Sequence, residues 1–167
     1  MTPTTIRSRI GLWAAVAAAV AIPVLLQNVP AGSSGSQVTR GEFQVFAAGA
    51  GDSRFEHLQG HAQMVRAADG KTIVKVEVTG LVPDTAYPVH VHAAPCNVNT
   101  ANGHYQFRSD GGINTVNEIW PGFTTNAAGA GNGRAVADRT AGENAVSVVI
   151  HSPDATPAPK VACADLK

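Results

Sequence analysis

Residues 72–92 read TIVKVEVTGLVPDTAYPVHVH, and their alternation decides the fold. In Thr72–Thr79, Val74, Val76 and Val78 fall on one face and Ile73, Lys75, Glu77 and Thr79 on the other. That period of two marks a half-buried strand. Gly80–Pro83 turns the chain. Tyr87–His92 predicts the next strand, with Val89 and Val91 on one face and His90 and His92 on the opposite one. Outward from this stretch, Asp69-Gly70 predicts a two-residue hairpin turn, fed by a strand at His61–Ala67 and an earlier one at Phe43–Ala47. Further strands are expected at Phe123–Asn126, Arg134–Asp138, Ala145–His151 and Val161–Leu166, with a Gly/Ala turn at Ala128–Gly133. In Ala145–His151, Val146, Val148 and Ile150 share a face and His151 falls on the other. Pro95–Ile119 is long, polar and glycine-rich, and no regular structure is read in its middle. A loop of that length in a small domain is functional or disordered. These elements predict an all-β fold, an antiparallel sandwich or flattened barrel of about eight strands.

Composition agrees. The chain has 167 residues, 44% hydrophobic and 14% charged, enough apolar material for one domain. Lys+Arg and Asp+Glu are 12 each, and the cations are scattered singly, which argues against nucleic acid as a partner. Met1–Arg9 is polar with Arg7 and Arg9, Gly11–Leu26 is apolar, and Val29-Pro30-Ala31 has the small-x-small pattern of a cleavage site. Residues 1–31 are therefore expected to be a secretory signal cut after Ala31. Pro23 interrupts the apolar run, which is short for a spanning helix, so stable membrane insertion is not expected. Residues 32–37 read as a flexible linker and 38–167 as the domain. Two cysteines, Cys96 and Cys163, remain in the exported chain. In an oxidising compartment an even pair reads as a disulfide, worth about 4 kcal/mol by loop-closure entropy. No motif specifies an oligomeric state.

The six histidines carry the chemistry. His90 and His92 sit at i and i+2 of a strand and share a side. They are either a pair of metal ligands or two solvated surface imidazoles. His104 lies in the long loop, and His151 ends a strand on its non-core face. His57 and His61 read as structural or solvent-exposed. There is no His-Glu-x-x-His helix, no Gly-x-Ser-x-Gly elbow and no Cys-His-Met copper set. Four imidazoles without a thiolate or carboxylate favour Cu(II) over Mg or Ca.

The order of parts resembles the copper,zinc superoxide dismutase family. The resemblance rests on Gly80-Leu81, His90-Val91-His92, Cys96, Gly103-His104-Tyr105, Ser147-Val148-Val149-Ile150-His151 and Val161-Ala162-Cys163. It implies a Greek-key β-barrel and a secreted enzyme that converts superoxide to O₂ and H₂O₂ on copper. It makes His90, His92, His104 and His151 the copper ligands and pairs Cys96 with Cys163. It also implies that His104 carries one of the protons. Lys160 stands where the family has an arginine that guides the anion, and Arg108 could add a second positive charge. Asp154 is a candidate for orienting a ligand imidazole. Between Tyr105 and Phe123 there is no histidine, and Asp110 and Glu118 are the only carboxylates. Copper is therefore expected and zinc is not, as in copper-only members of the family. A secreted copper-binding or copper-buffering protein without fast turnover is the alternative.

Overall fold

The computed structural model describes residues 35–47, 51–154 and 157–167. The predicted export signal and the first half of the predicted linker lie outside the described residues. Ten strands are formed: β1 (Gln37–Glu42), β2 (Gln44–Val45), β3 (Gln59–Arg66), β4 (Thr72–Thr79), β5 (Ala86–Tyr87), β6 (Val89–His92), β7 (Phe123–Thr124), β8 (Gly131–Ala137), β9 (Ser147–His151) and β10 (Lys160–Asp165). No helix occurs among the described residues. One sheet has the order β1-β3-β4-β8, the second β2-β10-β9-β6, and β5 pairs with β7. All ladders are antiparallel. The chain crosses from the first sheet to the second between β4 and β6, returns to place β8 beside β4, and crosses again to place β9 between β6 and β10. Of the two expected forms, this is the sandwich; the barrel does not close. Where β1 meets the C-terminus the sheets are joined by a reciprocal pair of backbone hydrogen bonds, Arg40 N–H to Lys167 O at 3.0 Å and Lys167 N–H to Arg40 O at 3.2 Å.

The core fills the space between the sheets. Val74, Val76 and Val78 of β4 and Ala62 and Met64 of β3 pack inward, as do Val89 and Val91 of β6 and Val148 and Ile150 of β9. Strand parity then sends His90, His92, Val149 and His151 to the outer face of the second sheet. A smaller apolar cluster, Ala101, Val149 and Cys163, forms on that face beneath the long loop. The Cys96–Cys163 disulfide is present and ties the loop to β10.

Three local expectations are corrected. The turn after β3 is a three-residue loop: Gly70 N–H bonds Ala67 O at 3.0 Å and Ala67 N–H bonds Lys71 O at 2.8 Å. Gly70 alone is left-handed, at φ 84°, whereas a two-residue turn of the Asn-Gly type needs positive φ at both central residues. β1 precedes the first expected strand and starts at Gln37, the last residue of the expected linker. Its QVTRGE carries one apolar side chain, and that one faces out. β8 starts at Gly131, inside the expected Gly/Ala turn. Its glycines are there for space: a Cβ on Gly131 would lie 2.3 Å from the Phe123 ring, and one on Gly133 would lie 1.9 Å from the Pro121 carbonyl oxygen.

Gly133→Ala is therefore expected to destabilise by about 2–3 kcal/mol, because backbone must yield. Gly35→Ala, with nothing within 4 Å of its Cβ, serves as the control and is expected to be neutral. Urea-unfolding midpoints of the two variants check this. Equal midpoints would show that β8 can shift freely.

Candidate metal centre

β6 is the edge of its sheet, and the long loop returns to it. Ala93 N–H bonds Gly103 O at 3.1 Å and Tyr105 N–H bonds Val91 O at 2.8 Å, which bridges His104 to His92. On the other side, β6 pairs with β9 in a register of His90 with Val149 and His92 with Ser147. The result is a cluster of His90, His92, His104 and His151 whose ligating atoms all lie within 4.8 Å of one another. The His90 and His104 rings are 4.0 Å apart, and His90 meets His151 edge-on at 4.9 Å.

Hydrogen bonds fix which nitrogen of each ring faces the centre. A carbonyl oxygen can only accept. His92 Nδ1 lies 3.2 Å from the oxygens of both Ala101 and Asn102, and His151 Nδ1 lies 3.0 Å from Ala158 O. Both Nδ1 atoms therefore carry the proton, and both neutral rings turn a lone pair at Nε2 toward each other across 3.3 Å. His104 Nδ1 lies 2.7 Å from Glu118 Oε2 and is oriented the same way. His90 is the exception: its Nδ1 is buried without a partner. Three Nε2 lone pairs face the cluster, and His90 adds a buried Nδ1 that has no partner. A cation meets that need, and the all-nitrogen donor set fits copper.

Burial is the first cause of the shifted ring pKa values. It pushes His90 down to about 3, with the charges of His104 and His151 adding to it. It pushes His92 down to about 3, with His104, His151 and Lys160 acting in the same direction. His151 is lowered too, by burial before the charge of His104. The His90 and His92 rings therefore stay neutral well into the acid range, with their lone pairs available.

The surroundings of the cluster are built with care for its lone pairs. Burial would raise the Glu118 carboxyl, but hydrogen bonds from Gln106, Trp120 and His104 outweigh it and hold the group below its usual range. Trp120 Nε1 donates to Glu118 Oε2 at 2.7 Å, Gln106 Nε2 donates to Oε1 at 3.0 Å, and the Trp120 ring meets His90 edge-on at 5.3 Å. The carbonyls that receive His92 belong to a left-handed turn of four consecutive residues, Asn99, Thr100, Ala101 and Asn102, with φ of 46°, 50°, 66° and 51°. Such a conformation costs a non-glycine residue about 1–2 kcal/mol, least for Asn. Lys160 ties the turn down: its Nζ donates to Thr100 O at 2.8 Å and, by a shorter bond, to Asn102 O. Burial lowers the Lys160 pKa.

The structure thus brings His90, His92, His104, His151 and Lys160 together. Asp154 does not join them. It is held by Arg54 and by Ser152 Oγ at 3.0 Å, and the Ala158 carbonyl orients His151 in its place. Arg108 and Asp110 pair with each other at 2.9 Å on the exposed loop surface. His57 is exposed, and His61 lies on the outer face of the other sheet, 3.9 Å from Glu77. The parts not anticipated are Trp120, Gln106 and the left-handed turn. Parity could have revealed the first: Ile119 points into the core, which places Glu118 and Trp120 on the opposite side.

No protein-family model matches the chain, and no curated protein matches its sequence. Solved structures do. A variant of Candida albicans superoxide dismutase 5 aligns with a TM-score of 0.50 at 16% identity, over 80% of this chain and 92% of that one. The clock protein EA4 aligns at 0.55 and 16%, over 81% and 96%. A variant of a superoxide-dismutase-like protein from Bacillus subtilis aligns at 0.52 and 15%, over 76% and 96%. The chain has the β-sandwich fold of superoxide-dismutase-like proteins, as the order of its motifs implies.

The lowered histidine pKa values predict a pH dependence. Below about 6.5 an unfolded histidine takes up a proton, whereas His90 and His92 in the fold refuse it until about 3. The unfolded state then binds more protons, so the metal-free protein is expected to lose stability as pH falls through this window and to keep it above. Between pH 7 and 5 carboxylates contribute little. Urea midpoints across that range should fall, and should fall less in His90→Gln and His92→Gln. A flat profile would contradict the assignment of neutral, proton-refusing rings.

Proposed function

We propose that the protein is a secreted copper-dependent superoxide dismutase, exported by residues 1–31 with cleavage after Ala31, its domain spanning 38–167. The observation that carries this reading is the convergence of three Nε2 lone pairs and the unpartnered Nδ1 of His90. His90, His92, His104 and His151 would hold the ion. When bound, copper supplies the one-electron chemistry that turns two superoxides and two protons into O₂ and H₂O₂. Zinc has no such redox change, and no second group of ligating residues besides the disulfide cysteines with Asp165 is found among the described residues.

The chain's own residues have three tasks in this reading. The Ala101, Asn102 and Ala158 carbonyls hold the Nδ1 protons of His92 and His151, which keeps both Nε2 atoms facing the ion. Glu118 does the same for His104, accepting its Nδ1 proton and fixing the ring. The His104 side chain is 24% exposed, which leaves this ring open to solvent for the proton it carries in this reading. Lys160 sets a positive charge beside the cluster and attracts the anionic substrate. A second reading is a copper-binding protein with slow turnover. It is favoured by the Lys160 ammonium itself, which spends two of its N–H donors on loop carbonyls.

Metal analysis after exposure to both ions is expected to find about one copper per chain and no tightly held zinc. A stoichiometric, tightly bound zinc would overturn the metal assignment. The copper-loaded protein is expected to dismutate superoxide, and His92→Ala and His151→Ala to abolish this. Lys160→Glu should slow the reaction with copper retained, and the loss should shrink with salt, since screening acts over about 10 Å at 0.1 M. A copper-loaded protein no faster than chelated copper would leave the copper-binding reading in its place.

A further inference from the structure

The outer face of the β1-β3-β4-β8 sheet, remote from the histidine cluster in the sheet order, is organised in cross-strand rows. The strand registers align Val38, Val65, Ile73 and Val136 as one apolar row across all four strands. Val38 is 54% exposed and Val136 is 45% exposed. One step along the strands lies a cationic row, Arg40, Gln63, Lys75 and Arg134. The next is acidic, Glu42, His61, Glu77 and Asn132. Beyond it the face dips into a concavity lined by Gln59, Gly60, Thr79 and Ala130 along with His61 and Glu77. A polar outer face needs none of this order. A continuous β-branched row on solvent is an unmet burial demand.

We propose that this face is the interface of a homodimer, with a second copy of the chain as its occupant. Closed dimers are two-fold symmetric, so each patch must complement itself. Place the axis between the cationic and acidic rows, parallel to them. The two sheets then stack with strands aligned, the ordinary geometry of sheet-on-sheet packing. Lys75 faces the second copy's Glu77, and Arg40 faces its Glu42, each contact occurring twice. The apolar row, one step further out, falls on the concavity of the other copy. Ridge, groove and both charge rows therefore satisfy one operation. A membrane or an anionic polymer would use the cationic row but would meet the acidic row beside it as repulsion. The metal centre lies on the opposite sheet and stays open in this dimer, so the inference is independent of the copper reading.

Sedimentation equilibrium of the exported, copper-loaded protein is the test. A dimer is expected at micromolar concentrations, weakening as salt rises. Lys75→Glu and Glu77→Lys should each raise the dissociation constant about tenfold, since each substitution is felt twice. The double variant, Lys75→Glu with Glu77→Lys, should restore association because the swapped charges again face each other. Val136→Ser should weaken the dimer at every salt concentration. Circular-dichroism melting of each variant separates loss of association from loss of fold. A protein that stays monomeric at high micromolar concentration overturns the proposal. So does a dimer that ignores both single reversals, or a double variant no better associated than the single ones.

Discussion

Nε2 of His92 and Nε2 of His151 face each other across 3.3 Å, and neither ring can turn away. Each has committed its other nitrogen to a backbone carbonyl. Everything around the site follows from holding these two lone pairs in opposition. The strands supply a common face: β6 and β9 are paired neighbours, and parity turns His92 and His151 to the same side, with the His90–Val149 pair between them. The loop supplies the anchors, at the expense of four consecutive residues in left-handed conformation. Such an arrangement is poor as a resting structure of neutral rings and good as a receptacle for a cation. Binding energy for the ion is thus available as folding energy, and protons compete for the same lone pairs.

Much of the fold could be read directly because its key strands are simple. Val74, Val76 and Val78, then Val89 and Val91, alternate so regularly that face and layer follow from period alone. The reading failed where a residue's reason lay elsewhere in the chain. Gly131 and Gly133 read as turn residues, yet they are strand residues made small by Phe123 and Pro121 pressing on them. β1 was invisible because its partner strand, not its own composition, makes it a strand. Asp69-Gly70 gave the place of a turn but not its length, which depends on whether one or two residues go left-handed.

At the centre, the same parity placed His90, His92 and His151 on one face, and the resemblance in motif order added His104. Parity could not show which nitrogen of each ring looks inward. That depends on carbonyl oxygens in the loop, and backbone acceptors leave no mark on a sequence. Glu118 was legible as a carboxylate in the right loop, but not as an acceptor for three donors, since Gln106, His104 and Trp120 meet only after the loop folds back. Asp154 was misplaced for the opposite reason: nearness to His151 along the chain counted for less than the pull of Arg54, a hundred residues away.

The hydrogen bonds from Ala93 to Gly103 and from Tyr105 to Val91 deliver His104, but they also do something unrelated to metal. They occupy the free side of β6, the outermost strand of its sheet. An uncovered strand side is a template on which another chain can add itself. The loop that completes the centre is therefore also the guard of that sheet edge. Damage that frees the loop takes His104 out of the cluster and bares a strand in one event. The histidine cluster and the sheet edge are secured here by the same few residues.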